Sequence, residues 1–517
     1  MSETDTDATA TGTPDQRLHP WSWLFVLLQQ LRQFIVPLLV LMFAGRGDHD
    51  AWPYAEYAEY APLAGVLALV VVSVLQYFTY RYRIGAEGIS IRSGLLQRNL
   101  REIPFTRIHN VGVHQSLLHR LFGVAEVRLE SAGGNKPEGQ MRVLGLQQAL
   151  ALEQLVRHHG SGAATTTGIA ERPDGAAPAG QAEGRTLLSM PLGEVVRMGL
   201  VSNRGMLVVA AAAGLVAQAS PERMMGNWLE QQVRGAAGYA EQLHLGWLGM
   251  ASAALVLVAV AMAAIRLLSV ALALSQYYGF RLIQTQGRLV VERGLFARLR
   301  TSVAPRRIQA WYQQETLLHR WFGRRALRID TATGGGENDP RKLRELAPIA
   351  TPAACEALFV HLLPGVQWPP AAWQGVPRRC WWRLFASSVP WTVLLVAVLW
   401  WHLGPWSLLA ALWLPWSAYA AWQQAGRLGY VVDARLLAVR GGWWSRWWRM
   451  AELDKVQALQ LQRSPLDRLL GTASLWLDTA GAGPLSPPLR IRFLPHAEAR
   501  ALHARLGRVL AARRMRW

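Results

Sequence analysis

Cysteine is nearly absent from this chain of 517 residues, which has only Cys355 and Cys380. That count, with no paired spacing, excludes a disulfide framework and a zinc ribbon, and the expected state is two reduced, inert thiols. Acid is scarce as well, with 34 Asp and Glu against 54 Lys and Arg for a formal charge of +20. The first fifteen residues lack the basic start of a secretory signal; they are polar, acidic and Thr-rich, and read as a disordered cytoplasmic tail. Residues 160–184 hold hardly any large apolar side chain and read as a flexible linker. The glycine runs at Gly133-Gly134 and Gly334-Gly335-Gly336 lack the Lys-Ser/Thr and the helix start that a phosphate-binding loop needs.

What is present is repetition. QSLLHRLFG at 115–123 returns as ETLLHRWFG at 315–323 and, more loosely, as RSPLDRLLG at 463–471. Its surroundings return in register: Arg107-Ile108, Arg307-Ile308 and Lys455-Val456 stand the same distance ahead, and Leu129-Glu130-Ser131-Ala132, Ile329-Asp330-Thr331-Ala332 and Leu477-Asp478-Thr479-Ala480 follow each copy. One unit has been used three times.

Basic charge together with 24 tryptophans fits either a nucleic-acid binder or a membrane protein with cytoplasmic arginines. Position favours the membrane, because Trp21, Trp23, Trp381, Trp382, Trp400, Trp401, Trp416 and Trp422 gather at the ends of apolar runs, where an amphipathic indole sits well at the bilayer surface. The turn at 48–60 carries Asp48, Asp50, Glu56 and Glu59 without Lys or Arg, whereas Arg81 and Arg83 follow the second run; this bias places the turn outside and the arginines in the cytoplasm.

The expected order is a tail over 1–20, a transmembrane hairpin over 21–81, a β-rich domain over 82–158 and a linker over 159–186. An amphipathic segment and second hairpin follow over 187–277, then a second domain over 278–363 and a Pro-rich connector over 364–380. A third hairpin covers 381–425, and a third domain with a basic C-terminal helix covers 426–517. Short strands are expected around Ile89, Glu102, Val111, Val127 and Met141 in the first domain and around Leu282, Leu289 and Leu327 in the second. Helices are expected to close the domains, with Leu152, Leu155 and Val156, and later Leu502, Leu506 and Val509, each sharing a face. Arg266, inside an apolar run longer than one crossing needs, is expected either to snorkel at the interface or to be a buried functional arginine.

Paired spans followed by a β-rich unit with a Gly-Leu-Leu/Phe segment and an Arg-Leu-Phe-Gly type segment resemble the bacterial membrane-flanked pleckstrin-homology-like domain family. The resemblance covers nearly all of the chain outside the tail and linkers. It implies a multi-pass α-helical membrane protein of six spans with three small cytoplasmic PH-like domains, each a bent antiparallel sheet or partly open barrel of about seven strands closed by a C-terminal helix. The third copy departs from the pattern at Pro465 and Asp467.

No nucleophile, paired carboxylate or metal set returns across the copies, so no catalytic residue, cofactor or metal is assigned. His119 and His319 read as surface or capping residues, and Gly123, Gly323 and Gly471 as backbone positions with positive φ or close packing. The ligand-contact candidates are Arg120, Arg320 and Arg468, three residues before each glycine, joined by Arg107, Arg307 and Lys455 in a basic face toward anion. Each cation near an anionic head-group surface contributes about 1 kcal/mol; a salt bridge or a hydrogen bond to a loop carbonyl is the alternative role. The expected partners are the membrane itself and anionic lipid head groups or another membrane protein, with no nucleic acid. The expected function is a non-enzymatic scaffold or accessory factor of the bacterial inner membrane, both termini cytoplasmic, against a second reading as a transporter or export factor for a small or amphipathic compound.

Overall fold

The computed structural model describes residues 16–44, 61–85, 87–94, 98–131, 139–161, 184–219, 235, 247–331, 343–480 and 487–512. The acidic turn, most of the 160–184 linker, both glycine runs and the last five residues lie outside the described residues. The chain divides into two compact units, one of 1–183, 296–303 and 333–342, the other of 184–295, 304–332 and 343–517.

In the first unit, Arg81–Ile84, Gly88–Ser93 and Asn99–Pro104 pair antiparallel, with Gln16–Arg17 added at the edge. Ile108–Gln115, Val124–Ser131 and Gly139–Gly145 make a second ladder. Alternation decides which side is buried: Ile89 and Ile91 from the first sheet meet Val111, Val113, Val127 and Leu129 from the second in one core. The helix Leu146–Ser161 covers that core with Ala149, Leu152 and Val156. The strands are divided between separate sheets, so the expected barrel is open between Pro104 and Ile108. A strand from far along the chain, Arg298–Val303, extends the second sheet by pairing with Ile108–Gln115 (Arg298↔Gln115, Arg300↔Val113), which covers an edge that would otherwise stay unpaired.

The second unit uses the same device. Ile308–Glu315 pairs on one side with Arg325–Thr331 and on the other with Arg446–Glu452, so strands from the second and third repeats share a seven-stranded sheet. The sequence offers no sign of this edge-to-edge joining. The helix His496–Ala511 closes the third core, where Leu506 meets Leu475, Ile491 and Leu437.

The amphipathic segment expected from residue 187 begins instead as a strand: Arg185–Ser189 pairs with Arg281–Thr285, and the helix starts only at Leu192. The Thr-Leu-Leu run satisfies its backbone on a waiting sheet edge before Pro191 sets the helix entry.

Among the described residues, Ala251–Tyr277 (27 residues) and Arg378–Trp401 (24 residues) are long and apolar enough to cross a membrane. Leu192–Val201 and Arg204–Gly214, bent by 49°, make a third if taken as one broken span. The first pair of helices, Ser22–Ala44 and Ala61–Thr79, contributes the shorter apolar stretches Ser22–Leu31 and Leu63–Thr79. Leu255 is 69% exposed and Trp391 73%, a surface that fits hydrocarbon better than water. In the third hairpin the return arm starts as a 3-10 stretch, Gly404–Leu412, before the helix Trp413–Arg427, so its regular helix begins later than expected.

A small polar group helps to join each helix pair. Ser73 Oγ donates to the carbonyl of Trp23 at 2.7 Å, the Gly205 N–H donates to Ser269 Oγ at 2.9 Å, and Ser388 Oγ donates to Ser417 Oγ at 3.0 Å. Small residues let the helices approach: a Cβ on Gly199 would stand 2.5 Å from Val270 Cα, and one on Gly205 2.4 Å from the Ile265 carbonyl oxygen.

Candidate functional site

The repeated nonamer forms the same small object three times. Gln115 ends its strand, Ser116 caps the five-residue helix Leu117–Leu121, and Gly123 leaves it at φ +64°. Thr316 and Ser464 cap Leu317–Trp321 and Pro465–Leu469 in the same way, and Gly323 and Gly471 leave at +59° and +63°. Nothing lies within 4 Å of a Cβ placed on any of these three glycines, so the backbone conformation and not close packing demands glycine there.

The two histidines are buried, which corrects the surface reading and keeps the capping one. His119 Nδ1 stands 2.5 Å from Ser116 Oγ, and His319 Nδ1 2.7 Å from Thr316 Oγ1. Asp467 does the same work in the third copy: Ser464 Oγ donates to its Oδ2 at 2.7 Å and the Ser464 N–H at 3.0 Å, completing a capping box. Histidine and aspartate exchange because the position needs a short partner for the cap hydroxyl. Burial, aided by Arg328, pushes the His319 imidazole down to about 4, which leaves it neutral at pH 7.

Each capped helix also meets the first helical segment of its own repeat. In the first, His119 lies 4.2 Å from Phe25 and Phe122 lies 4.5 Å from Trp21, ring centre to ring centre. In the second, Arg324 donates to both carboxylate oxygens of Glu194 on Leu192–Val201, at 2.9 and 2.7 Å. In the third, Arg383 Nη1, on the helix Trp381–Ala386 within the first part of Arg378–Trp401, donates to Asp467 Oδ1 at 2.7 Å and to Thr472 Oγ1 at 3.0 Å. Burial alone would raise the Asp467 carboxyl, but hydrogen bonds from Arg383, Thr472 and Ser464 hold it far below the usual range. Three unrelated chemistries, aromatic packing and two ion pairs of opposite polarity, make one attachment.

Facing away from that attachment, each helix presents a large bare apolar side chain: Leu121 is 76% exposed, Trp321 83% and Leu469 83%. Arg120, Arg320 and Arg468, each one residue before, are exposed as well.

The second row of candidates is elsewhere. Arg107, Arg307 and Lys455 close the turns Phe105–Arg107, Pro305–Arg307 and Leu453–Lys455, at the opposite end of the strand that leads to the nonamer. Within each domain a strand of seven or eight residues separates the two candidates by roughly 25 Å, so they do not share the expected single basic face. Lys455 Nζ donates to the Arg306 carbonyl at 2.8 Å. Burial, then the charges of Arg306 and Arg288, bring Arg307 down to about 10.

Other polar groups escaped the sequence reading. Glu345 lies 3.1 Å from Arg293, 3.6 Å from Arg204 and 3.8 Å from Arg328, and accepts a hydrogen bond from the Tyr277 hydroxyl. Burial pushes its carboxyl up, but Arg328, Arg293, Tyr277 and Arg204 together bring it below the usual value. The cluster ties the lower end of Trp247–Tyr277 to the domain sheet through Glu345–Ala350. Arg266 donates to the carbonyls of Leu200 at 3.0 Å and Ser202 at 3.1 Å and to Asn203 Oδ1 at 3.3 Å, capping the chain break in the bent helix pair. These bonds give Arg266 a structural role at the break. Among the described residues no three His, Cys, Asp or Glu side chains converge to hold a metal ion. Cys355 is buried, and its thiol is pushed up to about 12.

Residues 26–159, 239–354 and 381–510 each match the bacterial PH domain family. The chain is also similar to the UPF0699 transmembrane protein YdbT of Bacillus subtilis (strain 168), 22% identical over 409 residues that cover 77% of this chain and 79% of that protein. No solved structure matches. With three matches covering most of its length, and the same capped helix in each, the chain belongs to the bacterial PH domain family.

Proposed function

We propose that this is a non-enzymatic, membrane-embedded scaffold whose three PH-like domains lie in the cytoplasm against the anionic leaflet of the inner membrane. Each domain holds that leaflet through the tip of its capped helix. In this reading three hairpins give six spans with both termini cytoplasmic, and the tip arginines contact phosphate head groups while Leu121, Trp321 and Leu469 enter the acyl boundary. The observation that carries it is the pairing, in all three repeats, of a bare apolar side chain with an exposed arginine on a helix attached to the start of a membrane segment. A single exposed leucine means little; the same exposure three times at one position is a surface waiting for an apolar phase. The rows at Arg107, Arg307 and Lys455 stand away from the tips and are the faces left for a protein partner.

The transporter reading loses ground, because Arg266, its chief polar candidate inside a described span, is engaged with backbone carbonyls. The test is hydrogen exchange of the full chain in nanodiscs with and without phosphatidylglycerol. Anionic lipid should protect the backbone of 117–123, 317–323 and 465–471 in a salt-sensitive way, and the triple variant Arg120→Gln, Arg320→Gln, Arg468→Gln should lose that protection without melting earlier. Equal protection in neutral discs, or in the variant, would overturn the reading.

A further inference from the structure

The foot of the third hairpin gathers more positive charge than the described residues neutralise. Arg427 ends the helix Trp413–Arg427, and its guanidinium stands 5.8 Å over the Trp448 ring, which also carries Arg325 at 4.3 Å. Arg440 pairs across the sheet with Trp448, and Arg446 with Glu315. Arg446, Arg440 and Arg320 all act on Arg427 with like charge, and Glu315 is the one carboxylate that opposes them.

Glu315 is already shared, 3.4 Å from Arg325 and 3.7 Å from Arg446. Among the described residues neither Arg427 nor Arg440 has an ion-pair partner, and the Nε groups of Arg427, Arg440 and Arg446 are buried without a hydrogen-bond acceptor. These side chains are half-buried, and crowding like charges there with unsatisfied Nε groups is unfavourable unless an anion joins them. The preceding hairpin shows the same place satisfied from within the chain. Tyr277 stands two residues before Gly279 as Arg427 stands two before Gly429, and there Glu345 supplies the negative charge that three arginines surround.

We propose that this arginine cluster binds a phosphate group, carried by an anionic lipid head group or by a soluble phosphate. Guanidinium groups match phosphate oxygens in charge and geometry, and the Trp448 ring backs two of them from behind. The foot of a membrane helix is the depth at which lipid phosphates lie. The inference rests on the reading of these domains as anion-contacting, but it uses different residues from the exposed tips, so either can fail alone.

The test is thermal unfolding of the full chain in neutral detergent, titrated with phosphatidylglycerol in one arm and with inorganic pyrophosphate in the other, backed by native mass spectrometry to count retained lipid. Wild type should be stabilised by several degrees and retain lipid, Arg427→Gln/Arg440→Gln should lose at least tenfold in apparent affinity, and Arg500→Gln, at an exposed helix position outside both sites, should bind as wild type. Response to the lipid alone identifies a head-group site, and response to pyrophosphate alone a soluble ligand. If the double variant fails to fold, the single Arg440→Gln, on a half-buried strand position, is read by the same criterion. No response of wild type in either arm, or unchanged affinity in the variants, overturns the proposal.

Discussion

At the scale of the residue, one position shows how chemistry rather than identity is kept. His119, His319 and Asp467 all partner a cap hydroxyl. Folding lowers His319 from the ordinary 6.5 to about 4, so between those values the unfolded chain binds more protons than the folded one. The stability this residue contributes is therefore present above pH 6.5 and is lost as pH falls toward 4, up to about 3 kcal/mol in all. His319→Asn, which keeps an acceptor for Thr316, should flatten that part of the stability profile measured by unfolding in detergent at stepped pH; an unchanged slope would contradict the assignment. Asp467 makes a different prediction because Arg383 is nearly as buried as its partner, with side chains 10% and 4% exposed. Asp467→Ala leaves that arginine unpaired and should cost about 3–5 kcal/mol, read as an earlier unfolding transition. The repeated arginine was visible in the sequence because it recurs by name; the attachment beneath it was not, since Phe25, Glu194 and Arg383 share no residue type.

At the scale of the element, strands and closing helices followed from alternation and from helical periodicity. The strand around Ile89 appears as Gly88–Ser93, and the second domain's closing helix as Pro352–Leu362. What pattern could not supply was pairing at a distance: Arg298–Val303 joins Ile108–Gln115 through backbone groups that carry no sequence mark. The helix crossings were equally hidden, because Ser269 and Gly205 look like ordinary small residues in an apolar run. Their importance is steric and polar together, and it can be measured. Ser269→Ala should destabilise the full chain by about 1 kcal/mol, the scale of one interhelical hydrogen bond in a membrane. Gly205→Leu, which drives a side chain into the Ile265 carbonyl, should cost considerably more. Equal, negligible losses in a detergent unfolding assay would show that this crossing carries no weight.

For the whole molecule, the three-fold repeat was the most legible feature, and the family match recovers the same three regions. The number of crossings is a property of the membrane as well as of the chain, and helices such as Leu63–Thr79 sit at the margin of the length a bilayer needs. The proposed topology predicts that reporters active only in the periplasm are silent when fused after Leu363 or at Trp517 and active when inserted in the turn at 48–60. A periplasmic signal from either domain fusion would invert the arrangement and remove the anionic leaflet from reach of the tips. The most direct measurement of the central claim places a polarity-sensitive nitrobenzoxadiazole label at Leu121→Cys, Trp321→Cys or Leu469→Cys, one at a time, against the buried native thiols of Cys355 and Cys380. In nanodiscs containing phosphatidylglycerol each label should shift to the blue and be quenched by lipid-borne spin labels at the head-group to acyl boundary. Emission typical of water at all three positions, in anionic and neutral discs alike, would contradict the account.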